Sequence, residues 1–116
     1  MENYTKYDVI LIDFGEAEFA GEQGGVRPAV ILQNDKGNKY SDTVIVIPFT
    51  SKEKPNLPTH CLFMKNNKYG LKKDSTLLGE CIRQLSKQRI KGKLGHFADI
   101  KDRERIDRVL NANFAN

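Results

Sequence analysis

An arginine and a proline, Arg27 and Pro28, close a loop that holds the glycine pair Gly24 and Gly25 beside Glu22 and Gln23. Arginine presents a planar fork of N–H donors that fits a phosphate, and it stays cationic at any physiological pH. Proline disfavours helix at the residue before it, so Arg27 is held extended where a strand begins. A glycine pair permits positive φ in a turn, and it also lets a ligand approach the main chain and use its N–H groups. Glu22 and Gln23 set a carboxylate and an amide beside them. The loop therefore has what phosphate handling requires. The same residues also suit a plain glycine turn with a solvated glutamate, and composition alone leaves both readings open.

Other chemistries find little support. The chain has no P-loop, no Rossmann glycine fingerprint, no zinc-binding helix motif and no nucleophile elbow. Its two histidines, His60 and His96, could form a two-histidine ribonuclease pair. However, His96 falls in a glycine-broken segment expected to be exposed, so two unrelated packing or surface histidines are the competing reading. Cys61 and Cys81 are too few for a disulfide framework and lack metal-site company. Each falls in an expected strand, where a free cysteine acts as a small apolar residue; a bridge between them is the alternative. No metal and no cofactor are called for.

At 116 residues the chain suits one domain over 1–116, large enough for a core. No apolar run approaches the roughly 20 residues of a membrane span. The opening "MENYTKYD" is polar and acid-containing, unlike a secretory or transit peptide, so a cytoplasmic location is expected. A net charge of +4 favours an anionic partner.

Apolar patterning predicts what must position these groups. Tyr7 to Phe14 reads as a strand with Val9 and Leu11 on one face and Ile10, Ile12 and Phe14 on the other, both buried. Ala29 to Gln33 and Thr43 to Phe49 read as a hairpin whose long loop is the turn-rich "NDKGNKYSD". Thr59 to Met64 predicts a weaker strand and Ser75 to Leu85 another, followed by the glycine-broken "RIKGKLGHF". From Asp99, a plausible N-cap with Asp102 in the first turn, Ile106, Val109, Leu110 and Phe114 recur at helical spacing, with Glu104 and Arg108 set to pair. Five to seven short strands and a terminal helix make a mainly antiparallel barrel or sandwich.

The stretches "GEQGGVRPAVILQND", "GNKYSDTVIVIPFTSK", "LPTH", "KYGLKKDS" and "ECIRQLSKQRIKGKL" follow one another in an order that resembles the MazF/PemK family of toxin–antitoxin ribonucleases, from Asp8 to about Leu94. The resemblance implies a mainly β fold, an SH3-like small antiparallel barrel with a C-terminal helix, MazF/CcdB-like. It implies a homodimeric, sequence-specific, metal-independent endoribonuclease that cuts single-stranded RNA by attack of the RNA's own 2′-hydroxyl. Arg27 and Thr50 would be the catalytic pair, and Glu22 the candidate base unless it is only a solvated loop glutamate.

Gln23, Gly24, Gly25, Ser51, Leu57, Pro58, His60, Glu80 and Cys81 are placed by the same resemblance near bound RNA, although strand packing competes at several of them. Tyr40, Tyr69, Arg83 and the pairs Lys52/Lys54 and Lys72/Lys73 could stack bases or track phosphates. Three positions depart from the family's pattern: Gly21 where serine is common, Asp42 where proline is common, and Cys81 where glutamine is common. The last removes a bidentate amide and predicts a shifted RNA preference. An antitoxin with an acidic, partly disordered tail is the implied partner. A CcdB-like gyrase inhibitor and a non-catalytic RNA-binding barrel are the rival readings.

Overall fold

A strand that is apolar on both faces has to lie between two packed layers. In the computed structural model, which describes residues 3–115, that strand is β1 (Asp8–Asp13), with antiparallel neighbours on both sides. The other elements are β2 (Val26–Ile31), helix α1 (Asp35–Tyr40), β3 (Thr43–Thr50), β4 (His60–Phe63), β5 (Ser75–Leu78), β6 (Arg83–Ser86), β7 (Ile90–His96) and helix α2 (Ile100–Asn111). The seven strands form one antiparallel sheet in the order β4-β5-β3-β2-β1-β7, with β6 also on β3. At eight residues, β3 is long enough to serve three neighbours: β6 along Thr43–Val46, β2 through Val46–Pro48 and β5 at Phe49–Thr50.

Alternation along β1 builds two cores. Val9 joins Val30, Ile47, Phe49 and Phe97 beneath α2, which contributes Ile106 and Val109. Ile10, Ile12 and Phe14 point the other way, against Ala29, Ile31, Val44, Val46 and Leu85. The fold class expected from sequence, mainly β with a terminal helix, is the one found.

Several local expectations need correction. "NDKGNKYSD" is not only a turn: Asn34 accepts the Gly37 N–H at 2.8 Å and caps the one-and-a-half-turn helix α1. Ser75 to Leu85 is broken by a single 3-10 turn, Gly79–Cys81, so Cys81 lies in that turn rather than in a strand. Gly79 permits the break because a Cβ there would stand 2.5 Å from the Val109 carbonyl and 2.7 Å from that of Thr59. "RIKGKLGHF" is mostly strand β7; backbone from Lys68 and Tyr69 presses close at Gly95, whereas Gly92 has open space beside it.

The terminal helix begins as expected, with the Asp99 carboxylate accepting from the N–H groups of Lys101 and Asp102. It ends earlier than the apolar pattern suggests, leaving Phe114 74% exposed. The helix's side-chain ion pair is Arg105 with Asp102, not Glu104 with Arg108. Tyr69 does not face solvent. It is buried against Phe97 at 4.0 Å between ring centres and donates its hydroxyl to Asp102, and burial together with that carboxylate pushes the phenol up to about 12. Cys61 is buried, Cys81 is half-buried, and both are free thiols. Of the polar N-terminal stretch, residues 1 and 2 lie outside the described residues.

One buried charge ties these pieces together. Asp8 is fully buried and accepts from Thr5 N–H at 2.8 Å, Thr5 Oγ1 at 2.9 Å, His96 Nδ1 at 2.7 Å and Lys93 Nζ at 3.1 Å. His96 in turn faces Arg103 of α2 through Nε2 at 3.0 Å, so its Nδ1 carries the proton given to Asp8. Burial alone would raise the Asp8 carboxyl, but these donors outweigh it and hold the group below the ordinary carboxylate value. A depressed folded value means the charged carboxylate contributes stability above the unfolded value of about 3.9, lost as pH falls through the folded one. Asp8→Asn should cost about 2–4 kcal/mol at neutral pH and flatten the acid limb of stability, measured by urea unfolding at a series of pH values.

Candidate active site

The loop between β1 and β2 is shaped by glycines and by its own backbone. Gly15, Gly21 and Gly25 adopt positive φ, at 78°, 87° and 77°. Gly25 closes the loop, its N–H on the Gly15 carbonyl at 2.7 Å and its carbonyl accepting from Phe14 N–H at 2.9 Å. Gly24 is required by a close approach: a Cβ there would lie 2.8 Å from the Ala17 amide nitrogen. The free side of Gly24 is thus occupied by this chain's own backbone, whereas that of Gly25 is open.

This arrangement aims the Gly24 carbonyl at Arg27. The guanidinium donates to that oxygen through Nε at 3.0 Å and Nη2 at 2.7 Å, while Nη1 donates to Gln23 Oε1 at 2.8 Å. Three charge-assisted bonds fix a side chain that otherwise carries large rotamer entropy. Gln23 therefore braces the arginine, a role the sequence reading did not assign to it. Glu22 sits apart: its Oε1 accepts from Phe19 N–H at 3.0 Å, and its side chain is exposed.

Sheet register brings the second group into place. The β2–β3 ladder runs from Ile31 with Val46 to Ala29 with Pro48, and Arg27 and Thr50 lie two residues beyond its last pair on their strands. The two line one cavity of about 390 Å³, whose apolar wall includes Leu11, Pro28, Leu71 and Leu94 and whose cations are Lys52, Lys72 and Lys73. Thr50 is 5% exposed. Its Oγ1 accepts the Lys52 N–H at 3.3 Å, which leaves the hydroxyl proton to donate towards the cavity.

Two further hollows adjoin this one. Arg27 also lines a hollow with Glu22, Gln23, Gly24, Gly25, Lys52 and Lys54, and Ser51 and Lys52 continue into a third with His60. The result is a continuous groove floored by the arginine–threonine pair and edged by lysines.

The remaining residues expected at the site fall into two sets. His60 and Glu80 are bonded to each other, with Nε2 at 2.8 Å from Oε2, and Thr59 Oγ1 donates to the same carboxylate at 2.8 Å. Cys81 follows Glu80, and its thiol is pushed up by burial and by that carboxylate, with Lys54 and Arg27 pulling it back; the last two place it within the field of the groove's cations. Leu57 and Pro58 lie on the exposed loop before β4, where the Leu57 carbonyl accepts from His60 N–H at 2.9 Å. Arg83 donates to the Phe14 carbonyl at 3.0 Å and covers the Phe14 ring, so it buttresses the far side of the glycine loop. His60 and His96 have separate partners, Glu80 and Asp8, and form no pair.

An anionic chain laid in this groove would meet one rigid guanidinium, one strand hydroxyl and several mobile ammonium groups. Such a set suits gripping a phosphodiester and stabilising added negative charge on it.

Comparison with known proteins agrees with this geometry. The family model described as PemK-like, MazF-like toxin of type II toxin–antitoxin system matches residues 5–114. A curated relative named Endoribonuclease MazF, from Staphylococcus saprophyticus, is 49% identical over 98 residues, covering 84% of this chain and 80% of its own. Among solved structures, MazF from Deinococcus radiodurans superposes with a TM-score of 0.80 at 18% identity, covering 98% of each chain. A mycobacterial endoribonuclease in complex with its cognate antitoxin superposes at 0.75 and 17% identity, over 96% of this chain and 94% of that one.

The brace on Arg27 can be tested without any substrate. Gly24→Ala forces the loop off Ala17 and moves the carbonyl that holds the guanidinium, so the Arg27 Nε–H should exchange with solvent about tenfold faster in NMR. Global stability should fall by only about 1–3 kcal/mol. Unchanged exchange in the folded variant would show that the carbonyl does not hold the arginine.

Proposed function

Because the chain belongs to the PemK-like, MazF-like family of type II toxins, we propose that its lysine-edged groove cleaves single-stranded RNA at chosen sequences, with Arg27 and Thr50 at the scissile phosphate. The observation that carries this reading is the cavity shared by the braced Arg27 and Thr50.

In the reaction the ribose 2′-oxygen attacks phosphorus, the 5′-oxygen leaves, and the products are a 2′,3′-cyclic phosphate and a 5′-hydroxyl. No metal takes part. DNA lacks the attacking hydroxyl and is spared. Charge on the non-bridging oxygens rises towards the phosphorane, and a fixed guanidinium stabilises that charge more than the ground state. Arg27 supplies this donor. Guanidinium keeps its proton in proteins, so Arg27 is not the base. Thr50 donates a second hydrogen bond to the same phosphate, with Ser51 beside it. Glu22, in the hollow next to Arg27, is the carboxylate available to take the 2′-proton.

Sequence choice lies in the flanking residues. Gln23, Leu57, Pro58, Glu80 and Cys81 surround the path of the bases, while the lysines follow the phosphates. Such an enzyme acts in the cytoplasm as a homodimer, restrained by an antitoxin whose acidic tail contests the basic groove. The mycobacterial structure, an endoribonuclease in complex with its cognate antitoxin, supports restraint by an antitoxin. The gyrase-inhibitor reading is not favoured, because the loop arginine and its brace would then have no task.

Purified protein incubated with a long RNA transcript in EDTA should cut it and leave 5′-hydroxyl ends. Arg27→Ala should lower the rate about a hundred- to a thousandfold without unfolding. RNA that stays whole, or a variant as fast as the parent, would overturn the assignment. Replacing the thiol at the turn, Cys81→Gln, should change the preferred cleavage sequence by about tenfold at one base position while leaving the product ends the same. Sequencing the fragment ends reads both results.

A further inference from the structure

His60 begins β4 with its side chain only 8% exposed. Its Nδ1 lies 2.7 Å from the Pro55 carbonyl, and its Nε2 lies 2.8 and 3.0 Å from the two oxygens of Glu80. A carbonyl and a carboxylate both only accept, and a neutral imidazole has one N–H to give. The ring thus spans acceptors on two separate segments, the 51–58 loop and the turn carrying Glu80.

We propose that His60 is a positioning residue that fastens the 51–58 loop to the 3-10 turn carrying Glu80, and so holds Lys52 and Lys54 along the groove. Lys52 lines all three hollows of the groove and Lys54 two of them, yet neither belongs to a strand. Their placement depends on what anchors the loop, and the bond to Pro55 is its side-chain link to β4. Arg27 and Thr50 sit on β2 and β3 and keep their places without it. The charged and titratable groups around the ring are Glu80 and Cys81 from the turn, Lys52, Glu53 and Lys54 from the loop, Asp74 ahead of β5, and Arg105 of α2, which donates to the Leu62 carbonyl.

The fastening stands on geometry alone; its consequence for RNA rests on the function proposed above. The resemblance to the family would make His60 a contact to RNA. The geometry instead turns both ring nitrogens towards the protein.

Two isosteric variants separate the two ends of the clamp. His60→Asn keeps a donor near the Nδ1 position and so the Pro55 bond; His60→Gln keeps one near Nε2 and so the Glu80 bond. In hydrogen–deuterium exchange of the RNA-free protein, the 51–58 segment should open about tenfold more in His60→Gln and within about twofold of the parent in His60→Asn. Equal protection in His60→Gln and parent would overturn the clamp. On RNA, His60→Gln should raise KM about tenfold with kcat little changed. A parent protein that cuts no RNA would defeat the functional reading and leave the exchange pattern standing.

Discussion

A central strand with no polar face imposes the architecture. β1 needs cover on both sides, and its two faces recruit separate cores, one roofed by α2 and one closed by β3 and β6. At roughly 25 cal/mol per Å² of apolar surface removed from water, no other interaction in a chain of this size competes with that requirement. The alternation of β1 also sets which residues of β2 face each core. Since a one-residue slip would turn every side chain to the wrong face, the register between β1, β2 and β3 is tightly specified. That Arg27 and Thr50 line one cavity follows from that register.

The site uses this rigid frame unevenly. Arg27 and Thr50 stand on strands, where movement would disrupt two cores. The lysines that would track phosphates stand on loops, where they adapt to a flexible polymer at little cost in stability. Between these regimes are short polar braces: the Gly24 carbonyl and Gln23 on Arg27, and His60 with Glu80 under the lysine loop. A brace limits the side-chain entropy that binding would otherwise have to remove, and so prepares the groove before ligand arrives. The buried Asp8 network performs the same service for the frame, joining β1, β7 and α2 through one carboxylate and one histidine.

Where local patterning and tertiary contact disagreed, the disagreement has identifiable causes. "NDKGNKYSD" is rich in turn formers, yet Asn34 caps a short helix whose buried Asn38 donates to the Gln33 carbonyl, a contact no periodicity reveals. Ser75 to Leu85 reads as one strand because Leu77, Leu78, Ile82 and Leu85 recur through it with no strong breaker but Gly79. Only the packing of Gly79 against Val109 and Thr59 shows why the backbone must turn there. Tyr69, on polarity a candidate to stack on RNA, belongs to the aromatic core because α2 offers Asp102 to its hydroxyl.

Periodic burial and residue chemistry determined much of this protein in advance: the β1 alternation, the terminal helix with its Asp99 cap, the mainly β class, and the loop whose arginine suits a phosphate. These are short-range properties, written in neighbours along the chain. What only the tertiary structure decided is which partner each polar group found. Gln23 rather than Glu22 meets Arg27, Glu80 meets His60 across twenty residues, and His96 meets Asp8 across eighty-eight. Hydrogen-bond partners separated so far in sequence are chosen by strand register and loop closure, and those are settled by burial of the whole core at once.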